Sequence, residues 1–287
     1  MKVSTYLSDW LTLKSPDLKP RTIDSYDQLI RRINAEIGDF NISELSDNEI
    51  RHLLASIVAE GFNRTAEAVF TLLRCALADV NPALMATIKR PKNHQKHPVP
   101  WRNEHVVQYI TACQSHKHGL VLQLAITCGL RRGEICGLRW KDVDLVNMEF
   151  HIVNQRVTLS NGQTIDCSPK SACSVRDVPI PSVLIPALKR SLGHPEAYIT
   201  PLTPSGLSQA HSKLVDSLGL PHIGLHGLRH TFATMSVKNG GDIRSLQEIM
   251  GHSSYAVTMN IYTHPDHEMK SIAIDKTTAS WYNVLHG

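Results

Sequence analysis

Long apolar segments are missing from this chain of 287 residues. No window reaches the roughly 20 apolar residues that a membrane-spanning helix requires. The opening stretch, MKVSTYLSDW, also lacks the apolar run of a secretory signal peptide. These absences exclude a membrane-spanning receptor or transporter. We therefore expect a soluble, cytoplasmic protein with no membrane partner.

Signatures of metal sites and nucleotide-binding loops are also scarce. The six cysteines form no C-x-x-C pair, so we expect reduced thiols rather than a zinc site. No G-x-x-x-x-G-K phosphate loop occurs. The short pairs D-x-D and H-x-H have no third ligand close in sequence, and we interpret them as capping or solvated groups: Asp142 with Asp144, and His116 with His118. The sequence thus predicts neither a metal ion nor a cofactor.

The excess of positive charge is small but concentrated. A formal charge of +4 permits an anionic partner without demonstrating one. Residues 89–100, KRPKNHQKHPVP, contain three prolines and no acid. A solvated linker has this composition, and so does a strap along a DNA backbone, where each cation displaces a condensed counterion. Because the rest of the chain contains a candidate phosphate site, we favour the strap, formed by Lys89, Arg90, Lys92 and Lys96.

Residues 1–88 predict a small domain of helices only. Between Thr22 and Ile37, apolar side chains recur at three- and four-residue steps and form one helical stripe. Ser46 and Glu49, in S-D-N-E, predict a capping box at the start of the next helix. The segment from Ala66 to Leu77 and the opening segment predict two more. We expect a four-helix domain.

Residues 101–287 predict a second domain that is mostly helical and contains one small sheet. Asn103 is expected to cap a helix that runs to about Ala112, and further helices are expected over 121–127 and near 182–191, 204–217, 226–238, 242–250 and 254–262. Four segments have strand character, and Asn161-Gly162 is a hairpin turn signal: Met148–Val153, Arg156–Leu159, Thr164–Cys167 and Val175–Ile180. The predicted fold class is mainly α (α+β), with a small antiparallel sheet in the second domain.

Two arginines far apart in the chain are candidates for binding a phosphate. Arg131 follows Gly129-Leu130 at a predicted turn into a helix, whose N-terminus also favours anions. Its neighbour Arg132 would point about 100° away, so we select Arg131. Arg229 is the second candidate. Guanidinium groups stay charged and bind two oxygens at once, which suits the negative charge of a five-coordinate phosphorane-like state. Glu134, one helical turn beyond Arg131, can hold its guanidinium, although an isolated pair of this kind is more typical of a surface salt bridge.

Proton transfer is a possible role for two further residues. His226 lies three positions before Arg229 and therefore on the same helical face. Alone, H-x-x-R-H often marks a helix that only packs or meets solvent, but the pairing of Arg229 with Arg131 favours a site. Lys170, in S-P-K-S-A between two predicted strands, either faces solvent or enters the DNA minor groove. In the second case it would protonate a leaving 5′-oxygen as general acid.

Tyr262 is the candidate nucleophile. A phenol that attacks phosphorus gives a phosphotyrosyl ester and a free 5′-hydroxyl, and this covalent route needs no ATP. Tyr262 follows His252 in the sequence and lies in N-I-Y-T-H. Tyr255, seven residues earlier, is a competitor or a packing residue. The spacing from His252 favours Tyr262.

In combination and in this order, these residues resemble the active site of the tyrosine recombinases, the phage-integrase family. The resemblance covers about residues 1–270, both predicted domains. It depends on four segments taken together: TCGLRRGEICGLRWKDVD, SPKSACSVRDVPIP, GLHGLRHTFAT and IMGHSSYAVTMNIYTH.

The resemblance implies a role for each candidate residue. Arg131 and Arg229 would bind the phosphate, Lys170 would be the general acid, and Tyr262 the nucleophile. His226 would transfer a proton or contact the phosphate. The remaining two roles follow the family pattern as well: His252 takes a position that holds His or Trp, and Glu134 is the acid beside the first arginine.

The resemblance also implies partners. Residues 1–88 would be a helical, SAM-like core-binding domain that forms one half of a clamp around double-stranded DNA, and residues 101–287 the catalytic domain with its tail. Members of the family act as a synaptic homotetramer and exchange strands in two steps through a Holliday junction, some with accessory DNA-bending or directionality factors. We expect integration or excision of a phage or mobile element. The alternatives are Xer-like dimer resolution, a type IB topoisomerase and a non-catalytic DNA-binding regulator.

Both ends of the sequence leave alternatives open. Many phage integrases carry an arm-binding domain before the core-binding helices, whereas this sequence begins close to the first predicted helix. Either the protein acts without arm sites, or the sequence is shortened there. Residues 265–287 would form either a helix that docks on a neighbouring protomer or a solvated tail.

Overall fold

The computed structural model describes residues 1–92, 99–168 and 174–251. The chain divides into two compact units, Met1–His97 and Pro98–Gly287. Among the predicted site residues, Lys96, Lys170, His252 and Tyr262 lie outside the described residues, as does the predicted helix near 254–262.

The N-terminal unit is built of helices around an apolar core. Its described part contains α1 (Val3–Lys14), α2 (Pro20–Ile37), α3 (Asp47–Ala59), α4 (Asn63–Ala76) and α5 (Pro82–Ala86). The predicted stripe of α2 is confirmed, because Ile30, Ile33 and Ile37 are buried. The number of helices was wrong: the five-residue α5, which starts after Asn81 with Pro82 in its first turn, is too short to show a periodic pattern.

The predicted capping box of α3 is confirmed. The backbone N–H of Ser46 donates to Glu49 at 3.0 Å, and the Ser46 hydroxyl accepts from the N–H of Asn48 at 3.3 Å. These bonds satisfy backbone groups that have no partner inside the first turn of a helix. The apolar side of α3 then turns inward through residues that are all buried: Ile50, Leu53, Leu54 and Ile57.

The second unit is mostly helical, as predicted. Its described helices are α6 (Asn103–Ser115), α7 (Gly119–Thr127), α8 (Arg132–Gly137), α9 (Ile185–Ser191), α10 (Pro204–Ser217), α11 (Leu225–Lys238) and α12 (Ile243–Met250). Asn103 is the first residue of α6 rather than its cap, which is Arg102. Within the described part of the chain, no helix combines the length and the apolar character that crossing a bilayer requires.

The described strands form two sheets rather than the single sheet that the sequence predicted. One is antiparallel with the order β1-β2-β5, from β1 (Val143–Asp144), β2 (Glu149–Ile152) and β5 (Arg176–Pro179). The other is the hairpin of β3 (Gln155–Thr158) and β4 (Thr164–Cys167). The hairpin packs on α8, where a Cβ at Gly137 would lie 2.7 Å from the Cα of Gln155. The absence of a side chain at Gly137 therefore lets β3 pack closely against the helix.

Candidate active site

Both arginines that were predicted to bind phosphate reach the C-terminal end of α12. Arg131 is the N-cap residue of α8, and its Nη2 donates to the carbonyl of Gly251 at 2.7 Å. Arg229 lies on α11, and its Nη2 donates to the carbonyl of Met250. Carbonyls at a helix C-terminus lack partners within the helix and carry partial negative charge. The end of α12 therefore holds both guanidinium groups through adjacent carbonyls.

The position of Gly129, two residues before Arg131, requires a glycine. Its φ is +64°, and a Cβ at this position would lie 2.6 Å from the Phe232 ring on α11. A larger residue would therefore push α11 away from the chain that leads into α8. The carbonyl of Gly129 also accepts a hydrogen bond from Nη1 of Arg229. The glycine thus allows α11 to come close enough for Arg229 to bind this backbone.

Glu134 is the buried anion of the site. Its carboxylate accepts the backbone N–H of Arg131 at 2.8 Å and Nη1 of Arg131 at 2.7 Å. It also accepts both Nη atoms of Arg176 at 3.0 Å each. Burial by itself would raise the pKa of Glu134, but the hydrogen bonds and charge of Arg176, with the charge of Arg131, lower it to about 2. The carboxylate is therefore ionised and fully engaged, and it fixes the Arg131 guanidinium as predicted.

Arg176 was missed by the sequence analysis. It occupies the first position of β5, whose next inward residue, Val178, is buried. Since alternate residues of a strand face the same side, Arg176 shares the inward face with Val178 and Ile180. An arginine in phase with buried apolar residues was the signal available in the segment S-V-R-D-V-P-I-P.

Arg229 is a buried cation without a carboxylate partner. Its side chain is 1% exposed, and among the described residues no Asp or Glu forms an ion pair with it. Its Nε is also buried with no hydrogen-bond partner there. Burial and the neighbouring charge of Arg131 lower the pKa of the Arg229 guanidinium below its usual range. An anion bound at this place would relieve that unfavourable electrostatic situation.

His226 lies at the start of α11, one turn before Arg229. The imidazole keeps access to solvent, yet protein atoms pack around part of the ring. This partial burial, together with the positive charges of Arg229, His230 and Arg131, lowers the pKa of His226. The ring is therefore neutral at neutral pH in the free protein, and a bound anion would raise its pKa.

The predicted strap is described only in part. Lys89, Arg90 and Lys92 are exposed. Arg90 forms an ion pair with Glu67 on α4, at 2.7 Å between Nη2 and Oε1. This contact ties one of the predicted phosphate-binding cations to the N-terminal unit. The DNA-binding role of the strap, including Lys96, stays a prediction.

The side chains of the short D-x-D and H-x-H pairs accept backbone N–H groups close to them in sequence. Asp142 accepts the backbone N–H of Arg139 at 3.0 Å. Asp144 accepts two backbone N–H groups of the turn that follows it, both at 2.8 Å. Nδ1 of His116 accepts the N–H of His118 at 3.1 Å. These contacts place the side chains in turns.

A different group, which the sequence did not indicate, lies on the outer face of the three-stranded sheet. Glu149, His151 and Asp177 place ligand-type atoms within 4.8 Å of one another. His151 and Asp177 are opposite each other in β2 and β5 and share a hydrogen bond of 2.6 Å, which raises the pKa of His151. This cross-strand pair accounts for the close approach of the group.

Both units of the chain are similar in sequence to known proteins. The model of the phage integrase family matches residues 101–269, and the model of the phage integrase N-terminal SAM-like domain matches residues 2–57. A "tyrosine recombinase XerC-like" protein of Caldanaerobacter subterraneus subsp. tengcongensis is 26% identical, covering 90% of this chain and 77% of that protein.

Two solved structures have a similar fold. A Tn1549 transposon integrase in complex with transposon right end DNA has a TM-score of 0.81 at 20% identity, covering 96% of this chain and 99% of that one. A lambda integrase tetramer bound to a Holliday junction has a TM-score of 0.71 at 18% identity, covering 91% of this chain and 77% of that one. At these identities the likeness shows the fold alone.

Proposed function

The chain belongs to the phage integrase family, and from that premise we propose that it is a site-specific recombinase whose scissile phosphate is bound by Arg131 and Arg229. As a tyrosine recombinase, the protein is an enzyme that cleaves and rejoins DNA. The proposal concerns which residues perform the reaction and what the reaction serves.

The observation that carries the assignment is an imbalance of buried charge. Arg131, Arg176 and Arg229 contribute three guanidinium groups, and Glu134 is the one carboxylate that pairs with them among the described residues. Glu134 is saturated by Arg131 and Arg176, so the charge of Arg229 is left without a counterion. A phosphodiester supplies the missing negative charge, and its transition state supplies more. Fixed guanidinium groups then bind the transition state more tightly than the ground state.

The proposed reaction has balanced steps. As the phenolic oxygen of Tyr262 attacks phosphorus, its proton passes to His226 or to water. A new phosphorus–oxygen bond forms, and the bond to the 5′-oxygen breaks. Lys170 gives a proton to that oxygen, which leaves as a 5′-hydroxyl, and the DNA remains attached as a 3′-phosphotyrosyl ester. His226 transfers a proton or contacts the phosphate, and His252 contributes at the same site. Attack by a 5′-hydroxyl on the ester reverses these steps and rejoins the strand.

Partners and biological role belong to the same proposal. We propose double-stranded DNA as substrate, a homotetramer as the active assembly and the basic strap as a contact to the DNA backbone. The lambda integrase tetramer on a Holliday junction supports the assembly. Integration or excision of a phage or mobile element is the favoured role, and the XerC-like relative supports dimer resolution as a second candidate. Ligation between two different duplexes would separate either role from a type IB topoisomerase.

Covalent trapping tests the proposal. The protein is incubated with nicked duplexes from a randomised half-site pool, and any peptide linked to DNA is identified by mass spectrometry. We expect an adduct on Tyr262, its loss in Tyr262→Phe and its retention in Tyr255→Phe. An adduct on Tyr255 would overturn the assigned nucleophile. DNA binding without any adduct would favour a non-catalytic regulator.

A further inference from the structure

Arg176 differs from the other two arginines of the site because its Nε, Nη1 and Nη2 all donate to described protein acceptors, whereas the described side-chain bonds of Arg131 and Arg229 use only Nη1 and Nη2. Its side chain is 7% exposed. The Nε donates to the carbonyl of Ile249 at 2.6 Å, and Nη1 donates to the carbonyl of Ser174 at 3.1 Å. The two Nη atoms also bind both oxygens of Glu134 at 3.0 Å. One side chain of β5 thus joins α8 to the end of α12.

The end of α12 receives all three guanidinium groups. Its consecutive carbonyls each accept one N–H: Ile249 from Arg176, Met250 from Arg229 and Gly251 from Arg131. A shift of this helix end would therefore move the partners of all three arginines together. Of the three, Arg176 also binds the Glu134 carboxylate that holds Arg131. It therefore contacts both the carboxylate and the helix end to which the Arg131 guanidinium is bonded.

We propose that Arg176 is a positioning residue, which fixes Arg131 and Arg229 for phosphate binding by clamping Glu134 to the C-terminal end of α12. This inference rests on the proposed function of the same pocket. Arg176 needs no contact with the substrate in this role. It acts through Glu134 on Arg131, and through the carbonyl of Ile249 on the helix end that also binds Arg229.

The clamp requires arginine rather than another cation. The planar guanidinium places two parallel N–H groups on the two oxygens of Glu134 while its Nε reaches a third acceptor at a fixed angle. A lysine keeps the charge, but its ammonium is a point charge that cannot hold this geometry. The substitution Arg176→Lys therefore separates orientation from charge.

The first test is single-turnover cleavage of a nicked half-site duplex. We expect Arg176→Lys to lower the cleavage rate by about 100-fold, because a displacement on the order of 1 Å at a reacting phosphate has that effect. The Kd for the same DNA should stay near that of the wild-type protein. Arg139→Lys is the matched control, since Arg139 pairs with Glu196 and Asp166 in the same unit, with its described contacts away from the pocket. An equal loss in both variants would overturn the proposal.

A double-mutant cycle separates positioning from a general loss of stability. Because part of the effect of Arg176 passes through Arg131, the fold-loss of cleavage in the double variant Arg176→Lys, Arg131→Lys should be smaller than the product of the two single losses. Glu134→Gln removes the carboxylate between Arg176 and Arg131, and its effect should be non-additive with that of Arg176→Lys in the same way. This second cycle replaces the first if one of the arginine variants folds poorly. Independent, additive effects in both cycles would contradict the proposed path.

A third readout needs neither DNA nor activity. In protein with ¹⁵N-labelled arginine, the guanidinium N–H signals of Arg131, assigned by their loss in Arg131→Lys, should exchange slowly with water. They should exchange faster in Arg176→Lys and remain slow in Arg139→Lys. Unchanged exchange in Arg176→Lys would overturn the positioning role. If the wild-type protein formed no DNA adduct while this NMR difference held, the proposed function would fail and the clamp would stand.

Discussion

The two units of the chain differ in what they bury. In the N-terminal unit the core cluster is apolar, with Leu53, Ile57 and Val69 fully buried. Among the described residues, the buried polar and charged side chains all belong to the second unit: Glu134, Asp142, Ser174, Thr200, His211, Arg229 and Thr231. Burying such groups costs free energy unless each is paired. The second unit therefore buries whole polar and charged side chains, whereas the described part of the first buries single polar atoms of larger or half-buried side chains, such as Nε1 of Trp10 and Oδ1 of Asn34.

Most of that cost is offset by hydrogen bonds. His211 shows how: its Nδ1 pairs with the hydroxyl of Tyr109 at 2.9 Å, and its Nε2 with the carbonyl of Ile223 at 2.7 Å. Burial lowers the pKa of His211, so the ring is neutral and uses both nitrogens in a dry core. A satisfied network of this kind specifies how helices pack.

Arg229 does not follow that rule, and the contrast is informative. Its charge has no carboxylate partner among the described residues, and its Nε has no acceptor there. Satisfied polar burial, as at His211, serves the fold. Incompletely compensated charge, as at Arg229, leaves binding energy for a ligand of opposite sign.

Arg229→Lys should reduce single-turnover DNA cleavage by about 1000-fold, because the lysine cannot bind two phosphate oxygens from one rigid group. The change in the free energy of unfolding, measured by urea denaturation, should be the smaller effect. Arg132→Lys is the control, since Arg132 is exposed and bonds to Ser208 at 3.0 Å. If Arg229→Lys kept the cleavage rate within about tenfold of wild type, the claim that the uncompensated charge of Arg229 serves phosphate binding would be wrong.

Leu53→Ala should lower the free energy of unfolding of the N-terminal unit by about 3 kcal/mol, because it leaves a cavity in an apolar core. Leu53 is 0% exposed, whereas the control Leu13→Ala removes a side chain on α1 that is 80% exposed and should have nearly no effect. Urea denaturation measures both. Equal small losses would mean that the apolar core does not dominate the stability of this unit.

Acid should weaken the second unit through Glu134. Its pKa is lowered in the folded protein to about 2 from an ordinary value of 4.5, so its stabilising contribution is present above pH 4.5 and declines as the pH falls toward 2. Between about pH 7 and about pH 3.5, roughly 1 kcal/mol of the free energy of unfolding should be lost through this group.

Urea denaturation at a series of pH values measures that loss. Glu134→Gln should show a correspondingly shallower decline of stability with acid, and the exposed Glu44→Gln should behave like the wild-type protein. The same slope in wild type and in Glu134→Gln would show that the buried carboxylate does not carry this pH dependence.

The sequence predicted helices well wherever the signal was local. The stripe of α2, the capping box of α3, and the arginine–glutamate pair at the start of α8 all depend on residues a few positions apart. The sequence analysis missed α5, merged two sheets into one and overlooked Arg176. Helix α5 is too short to show a periodic pattern. The sheet pairings and the contacts of Arg176 join residues that are too far apart in the sequence to be paired by inspection.

By itself, the sequence determined the helical character of both units, the identity of the candidate arginines and the pairing of Arg131 with Glu134. Only the tertiary structure decided that Arg131 and the carbonyl of Gly251, 120 residues apart, meet at the end of α12. It also decided that Glu134 is shared with Arg176, 42 residues away. The reason is physical: periodicity and capping act within one helical turn, whereas the compensation of buried charge depends on which distant groups the fold brings into contact.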